Sequence, residues 1–338
     1  MRATDTRRVG RTAVELTVLG FGGSQVGNLH RPVPDDDARQ AVASAWNLGI
    51  RYFDTAPLYG QGLGEQRMGR ALRRYPRDGY VLSTKVGRLL KPLDSRRGDH
   101  GHFVDTLPFA VEYDYSHDGA LRSIEDSLQR LGLHRIDVAL IHDIDPYNHG
   151  PDGQRRRFRE AMEGAYPALD RLRRAGTLRA IGVGVNSWRV CQEAAEAADF
   201  DCFLLAGRYT LLEQEPLASF FPLCQRRGIS VIIGAPYNSG ILARGTVAGA
   251  QHDYAAPSVE VGERTRRIEA VCARHGVSLG AAALQFPLGH PAAVSVLPGP
   301  RTPAQVEASV RWLAEAIPGD LWQELKRERL LDADAPTP

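Results

Sequence analysis

Eight short apolar runs, each followed by a longer amphipathic stretch, constrain this chain more than any other feature. The runs lie at residues 18–21, 52–55, 80–85, 137–142, 180–185, 202–205, 230–234 and 293–297. Short, mostly apolar segments are what strands buried on both faces require. The stretches between them have helical spacing, as in 36–48, where Ala38, Val42, Ala45 and Trp46 fall on one face. Asp118 is placed to cap the helix carrying Leu121, Ile124, Leu128 and Leu131; Ser187 and the Thr302-Pro303 pair open two others. Gly49, Gly132, Gly176, Gly228 and Gly276 stand where helices end, the usual place for a left-handed stop. Strand then helix, repeated, demands a parallel sheet with right-handed crossovers, either closed as a barrel or left open as a doubly wound sheet.

The repeat count favours closure, and no Pro/Ser-rich linker divides the chain. Residues 1–338 are therefore expected to form one (β/α)8 TIM barrel domain, preceded by a short β-hairpin turning at Gly10-Arg11. Three stretches are long for connections, at 88–117, 143–153 and 238–257. Each follows a strand, which places it at the C-terminal face, where barrels build active sites.

Composition narrows the partners. With 42 basic and 40 acidic residues the net charge is +2, which gives no reason to expect nucleic acid or an acidic membrane. The run Arg155-Arg156-Arg157 with Arg159 reads as a solvated helix face. Cys191, Cys202, Cys224 and Cys272 are scattered and form no CxxC pair, so a disulfide framework and a zinc site are both disfavoured. No apolar run approaches membrane-spanning length and none opens the chain, so a cytoplasmic protein is expected.

Four reactive side chains fall at or just after strand ends: Asp54, Tyr59, Lys85 and His142. A buried Asp and a buried Lys on adjacent strands are each costly alone and sensible as a pair. Beside Tyr59, the Lys85 ammonium should favour phenolate and lower a phenol pKa that begins near 10. A neutral His142 could hydrogen-bond the same phenol or orient the substrate oxygen. The pattern suits general acid–base chemistry. His142, Asp143, Asp145 and His149 lack metal-ligand spacing, and the last three read as a solvated loop. Gly20-Phe21-Gly22-Gly23 and Gly182-Val183-Gly184 do not complete GxGxxG, which disfavours a Rossmann domain.

It is in these blocks that the chain resembles the aldo-keto reductases: Gly49-Ile50-Arg51-Tyr52-Phe53-Asp54-Thr55-Ala56 leading to Tyr59-Gly60, then Ser83-Thr84-Lys85, Asp137-Val138-Ala139-Leu140-Ile141-His142 and Ile181-Gly182-Val183-Gly184-Val185-Asn186. The resemblance covers essentially the whole chain. It implies a nicotinamide cofactor across the C-terminal face, Asp54, Tyr59, Lys85 and His142 as catalytic residues, and Asn186 at the nicotinamide amide. Phe103 to Phe109, Tyr113 to Ser116 and Leu204 to Leu212 resemble the sugar-oxidising aldose 1-dehydrogenase branch and its pyridoxal-oxidising relatives. That implies a small sugar or pyridoxal-like substrate, with a reductase of aldehydes or ketones and a nicotinamide-sensing binding subunit as alternatives.

The chain also departs from the family pattern. Ala206 stands where many members carry the carboxamide-binding glutamine, and Gly234 where they carry the tyrosine that stacks on nicotinamide, with Tyr237 shifted nearby. In Pro298-Gly299-Pro300-Arg301-Thr302-Pro303-Ala304-Gln305, the residues Pro298, Gly299, Arg301, Thr302 and Gln305 are expected to meet the cofactor at a helix N-terminus. Gln305 replaces an arginine common in NADP-preferring members, which tilts the expectation to NAD; Arg301 could restore the cation that NADP wants.

Overall fold

A computed structural model of the chain describes residues 1–93 and 101–338. Among the described residues, two strands precede the barrel, β1 (Thr6–Arg8) and β2 (Glu15–Thr17). The barrel strands are β3 (Phe21–Gly22), β4 (Tyr52–Asp54), β5 (Val81–Val86), β8 (Val138–His142), β9 (Ala180–Val185), β10 (Cys202–Ala206), β11 (Ser230–Gly234) and β12 (Ala293–Leu297); β6 (Arg88–Pro92) and β7 (Phe109–Tyr113) are inserted between β5 and β8. The eight barrel strands pair in parallel from β3 through β12. Closure comes just before β3, where Gly20 N–H donates to Val296 O and Val296 N–H to Val18 O, both at 2.9 Å. The expected (β/α)8 barrel is present. Its first strand is shorter than residues 18–21 suggest, because 18–20 make only this closing bridge.

Two apolar clusters follow from the two-residue period of strands. Tyr52, Val81, Val138, Leu140, Ala180, Cys202, Leu204 and Ile232 fill the barrel interior, while Phe53, Leu82, Ala139, Ile141, Ile181, Phe203 and Ile233 meet the helices. The hairpin closes the N-terminal end of the interior with Val9, Val14 and Leu16. Its turn is wider than a tight Gly10-Arg11 turn, since Val9 N–H reaches Val14 O at 2.8 Å. Gly10 has φ 49°, and a Cβ there would lie 2.7 Å from Asp201 O, so only glycine fits the approach.

The three long connections differ. Arg88 to Tyr113 is a ribbon, β6 antiparallel to β7, rather than a loop; residues 94–100 of that stretch lie outside the described residues. The second is largely helix: Asp145 accepts from Asn148 N–H and opens Pro146–Glu160. The third opens with a 3-10 turn at Asn238–Gly240 and a short helix, Ile241–Arg244, and is irregular from there to the helix Val259–Arg274, with Arg208 paired to Asp253 at 2.9 Å. At the helix expected to be capped by Asp118, the cap is Ser116, whose hydroxyl accepts from Gly119 N–H; Asp118 sits in the first turn. Ser187 occupies its N-cap position without a side-chain cap bond, whereas Thr302 accepts from Gln305 N–H as expected. Trp46 is only half-buried and stacks on Tyr75 at 4.2 Å. All four cysteines are buried and unpaired. No described helix is long and apolar enough to cross a membrane.

Candidate active site

The alternation of each strand decides which side chains share the barrel mouth. In β4, Tyr52 points inward, so Asp54 does too. In β5, Val81 sets Ser83 and Lys85 inward. In β8, Val138 and Leu140 do the same for His142. Strand pairing then stacks these positions, with Asp54 opposite Ser83 and Lys85 opposite Leu140. Three strands deliver Asp54, Lys85 and His142 to one face of the lumen, and the turn after β4 brings Tyr59 over them.

Lys85 Nζ donates to Asp54 Oδ2 at 2.7 Å and to Thr55 O at 2.9 Å. Asp54 Oδ1 accepts from Ser83 Oγ at 2.7 Å, and Tyr52 OH lies 3.0 Å from the same hydroxyl. Both carboxylate oxygens are thus held from β5. Lys85 is almost fully buried, which opposes its charge, yet Asp54 and Tyr59 outweigh burial and raise its pKa. Its ammonium sits 4.7 Å from the centre of the Tyr59 ring. The Tyr59 ring meets His142 edge-on at 6.1 Å and packs on Phe103 at 5.8 Å.

Two titrations bear on the chemistry. Tyr59 was expected to have a lowered pKa; in the folded site burial raises it, and Lys85 pulls it back only in part. His142 is held well below the usual histidine range by burial, then by Lys85 and Arg88, so its imidazole is neutral. Its Nδ1 is buried without a partner among the described residues.

The expected cofactor positions also gather at this face. Gly234 and Ala206 are opposite each other in register and share the inward side; a Cβ on Gly234 would lie 3.0 Å from Leu204 Cδ2 and 3.3 Å from the Ala206 methyl. Asn186 follows β9, its N–H held by Asp145 Oδ2 at 2.8 Å and its amide reaching Ala206 O only at 3.5 Å. Tyr237 is engaged instead with Trp312, edge-on at 5.6 Å. Pro298 O accepts from Gly22 N–H at 2.9 Å, and Gly299 lies against Gln25, whose Cγ would be 2.8 Å from an added Cβ. Thr302 caps the helix Pro303–Ala314, and Gln305 Oε1 accepts from Arg301 N–H at 2.7 Å. The Arg301 guanidinium turns to Leu29 O at 2.8 Å; burial, Arg31 and Arg244 push its pKa down to about 10. Gln25 Oε1 and Asn238 Oδ1 are buried acceptors without donors among the described residues. Bare acceptors, small inward residues and a capped helix N-terminus fit a group with amide and hydroxyl donors, a flat ring and phosphates.

Several residues of the mouth escape a reading of the sequence. Ser83 is legible only through its strand parity with Lys85. Asp143 and Asp145 are not solvated: both are buried, Asp143 paired with Arg88 and Asp145 holding Asn148 and Asn186. The signal available was a charge close after a strand end, Asp143 next to β8 and Arg88 two residues past β5.

Residues 18–327 match the model of the aldo/keto reductase family. The chain belongs to this family, and it is an oxidoreductase acting on CH–OH or carbonyl groups. It is similar to a pyridoxal 4-dehydrogenase of Microbacterium luteolum, 40% identical over 98% of this chain and 99% of the relative. It is also similar to a D-threo-aldose 1-dehydrogenase of a Pseudomonas species, 39% identical over 96% of each chain. An aldo-keto reductase of Bacillus halodurans in its holo form shares the fold, with TM-score 0.73 at 23% identity over 98% of each chain.

Proposed function

We propose that the protein oxidises an aldose at C1 to its lactone, with NAD as cofactor and Tyr59 as general base. The observation that carries this reading is the inward set of Asp54, Lys85 and His142 gathered under Tyr59. The aldose dehydrogenase and pyridoxal dehydrogenase names of two relatives near 40% identity supply the substrate class. Ala206 and Gly234 would leave room for the nicotinamide ring, which would supply the hydride acceptor. Asn186 and the segment from Pro298 to Gln305 would hold the cofactor.

Tyr59 takes the proton of the anomeric hydroxyl, and the Lys85 ammonium stabilises the phenolate that accepts it. Asp54 keeps Lys85 under the ring. Neutral His142 hydrogen-bonds the reacting oxygen without competing for the proton. Because burial raises the Tyr59 pKa, oxidation should quicken as pH rises and the phenol ionises more readily. NAD is preferred because Arg301 spends its guanidinium on Leu29 O and Gln305 brings no charge.

Purified protein is incubated with NAD and L-fucose, D-arabinose, L-galactose or pyridoxal, and NADH absorbance is followed; the same panel is run with NADP. Turnover of an aldose, faster with NAD, is expected. Turnover of pyridoxal alone transfers the reading to that substrate. One arrangement favours that outcome: Phe103 packs on the Tyr59 ring at 5.8 Å, and His102 and Tyr254 stack on each other at 5.1 Å. No turnover of any compound overturns the proposal.

A further inference from the structure

One charged group of the mouth has no part in the scheme above. Asp143 directly follows His142, and only 6% of it is exposed. Its backbone is left-handed, with φ 53°, a conformation that Asp tolerates at a cost in free energy. This turn carries the carboxylate back over the end of β8. Oδ2 accepts from Arg88 Nη2 and lies 3.4 Å from His142 Nε2.

The surroundings hold it there. Arg88 also donates to Asn148 Oδ1 at 2.9 Å, Asn148 Nδ2 donates to Asp145 Oδ1 at 2.9 Å, and Asn186 N–H donates to Asp145 Oδ2 at 2.8 Å. Oδ1 of Asp143 accepts no hydrogen bond from a described residue; the carboxylate's one hydrogen-bond donor among them is Arg88. Beyond burial, the charge of Asp143 adds to what raises the phenols of Tyr59 and Tyr254. A buried pair kept only to anchor the ribbon could be replaced by apolar side chains at little cost. A carboxylate with Oδ2 beside His142 and with no donor on Oδ1 among the described residues is instead a ready acceptor for a hydroxyl.

We propose that Asp143, clamped by Arg88, is a specificity-determining residue that accepts a hydrogen bond from the hydroxyl next to the reacting carbon, the C2 hydroxyl of an aldose. The proposal rests on the aldose reading given above. A substrate lacking that hydroxyl leaves Oδ1 desolvated and without a donor, so the site rejects it.

The test compares L-fucose with 2-deoxy-L-fucose. Steady-state kcat/KM is measured with NAD, and calorimetry gives the Kd of each sugar for the NADH complex, where nothing turns over. The unaltered protein should prefer L-fucose by about 10- to 100-fold, the factor expected for a hydrogen bond to a charged group. Asp143→Ala should remove most of that preference, with the loss in KM and Kd for L-fucose and little change for the deoxy sugar. Because Asp143→Ala strands Arg88 without its counter-ion and can cost folding, the double change Arg88→Met with Asp143→Leu must show the same loss of preference. A preference that survives in either variant overturns the inference and leaves the aldose reading standing. If the unaltered protein neither binds nor oxidises L-fucose, L-galactose or D-arabinose, the aldose reading falls first and takes this inference with it.

Discussion

At the scale of single residues, the site works through opposed effects on two buried groups. Burial pushes the Tyr59 phenol up while Lys85, kept charged by Asp54, pulls it down. Lys85→Met removes the only one of these that favours phenolate among the groups named. The alkaline rise of kcat for oxidation should therefore move to higher pH, by about one unit or more. The same change leaves Asp54 buried without its cation, so thermal unfolding should show a loss of about 3–5 kcal/mol. An unchanged pH profile in a folded Lys85→Met variant would separate Lys85 from the proton transfer.

Asp143 makes a second pH prediction. Burial, against the pull of Arg88, raises its pKa to about 6. The charged groups around it are Arg88 from the ribbon, Lys85 from β5 and Asp145 from the turn after β8, with neutral His142 beside it. Asp143 is ionised above that pH and protonated below it, so KM for the aldose should be flat above about 6 and rise on acidification. KM measured from pH 5 to 8 checks it.

At the scale of elements, strand alternation converts sequence positions into a shared surface. This is why Asp54, Lys85 and His142 were legible: each is a charged or polar residue in an otherwise apolar run, and such a run has one face that can tolerate it only at its open end. The helix stops at glycine were legible for the same local reason. What stayed hidden depends on partners distant in sequence. The ribbon of β6 and β7 carries no strong alternation, and its pairing is visible only once both strands are placed. Asp145 looked like loop, yet it caps the helix Pro146–Glu160 and anchors Asn186 across 41 residues of chain. Asp145→Ala should cost about 1–2 kcal/mol from the lost cap and weaken NADH binding through Asn186. Denaturant unfolding and NADH fluorescence titration measure the two effects separately.

At the scale of the whole molecule, the barrel is closed below by the hairpin and open above at the site. Gly10 fits between Asp201 O and Gly228 O, where a Cβ would lie 2.7 and 3.0 Å from these oxygens. Gly10→Val should lower stability by about 1–3 kcal/mol while leaving KM unaltered in the folded fraction, because the change lies at the opposite end from the chemistry.

In the proposed reaction Tyr59 moves the proton. Tyr59→Phe keeps the ring against Phe103 and His142 and removes only the hydroxyl. Turnover of the best aldose from the panel and the Kd of NADH are measured on the same preparation. Turnover should fall by about 10²- to 10⁴-fold, the contribution of a positioned acid–base group, with the NADH Kd nearly unchanged. Turnover within a few-fold of the unaltered protein would show that Tyr59 is not the acid–base group.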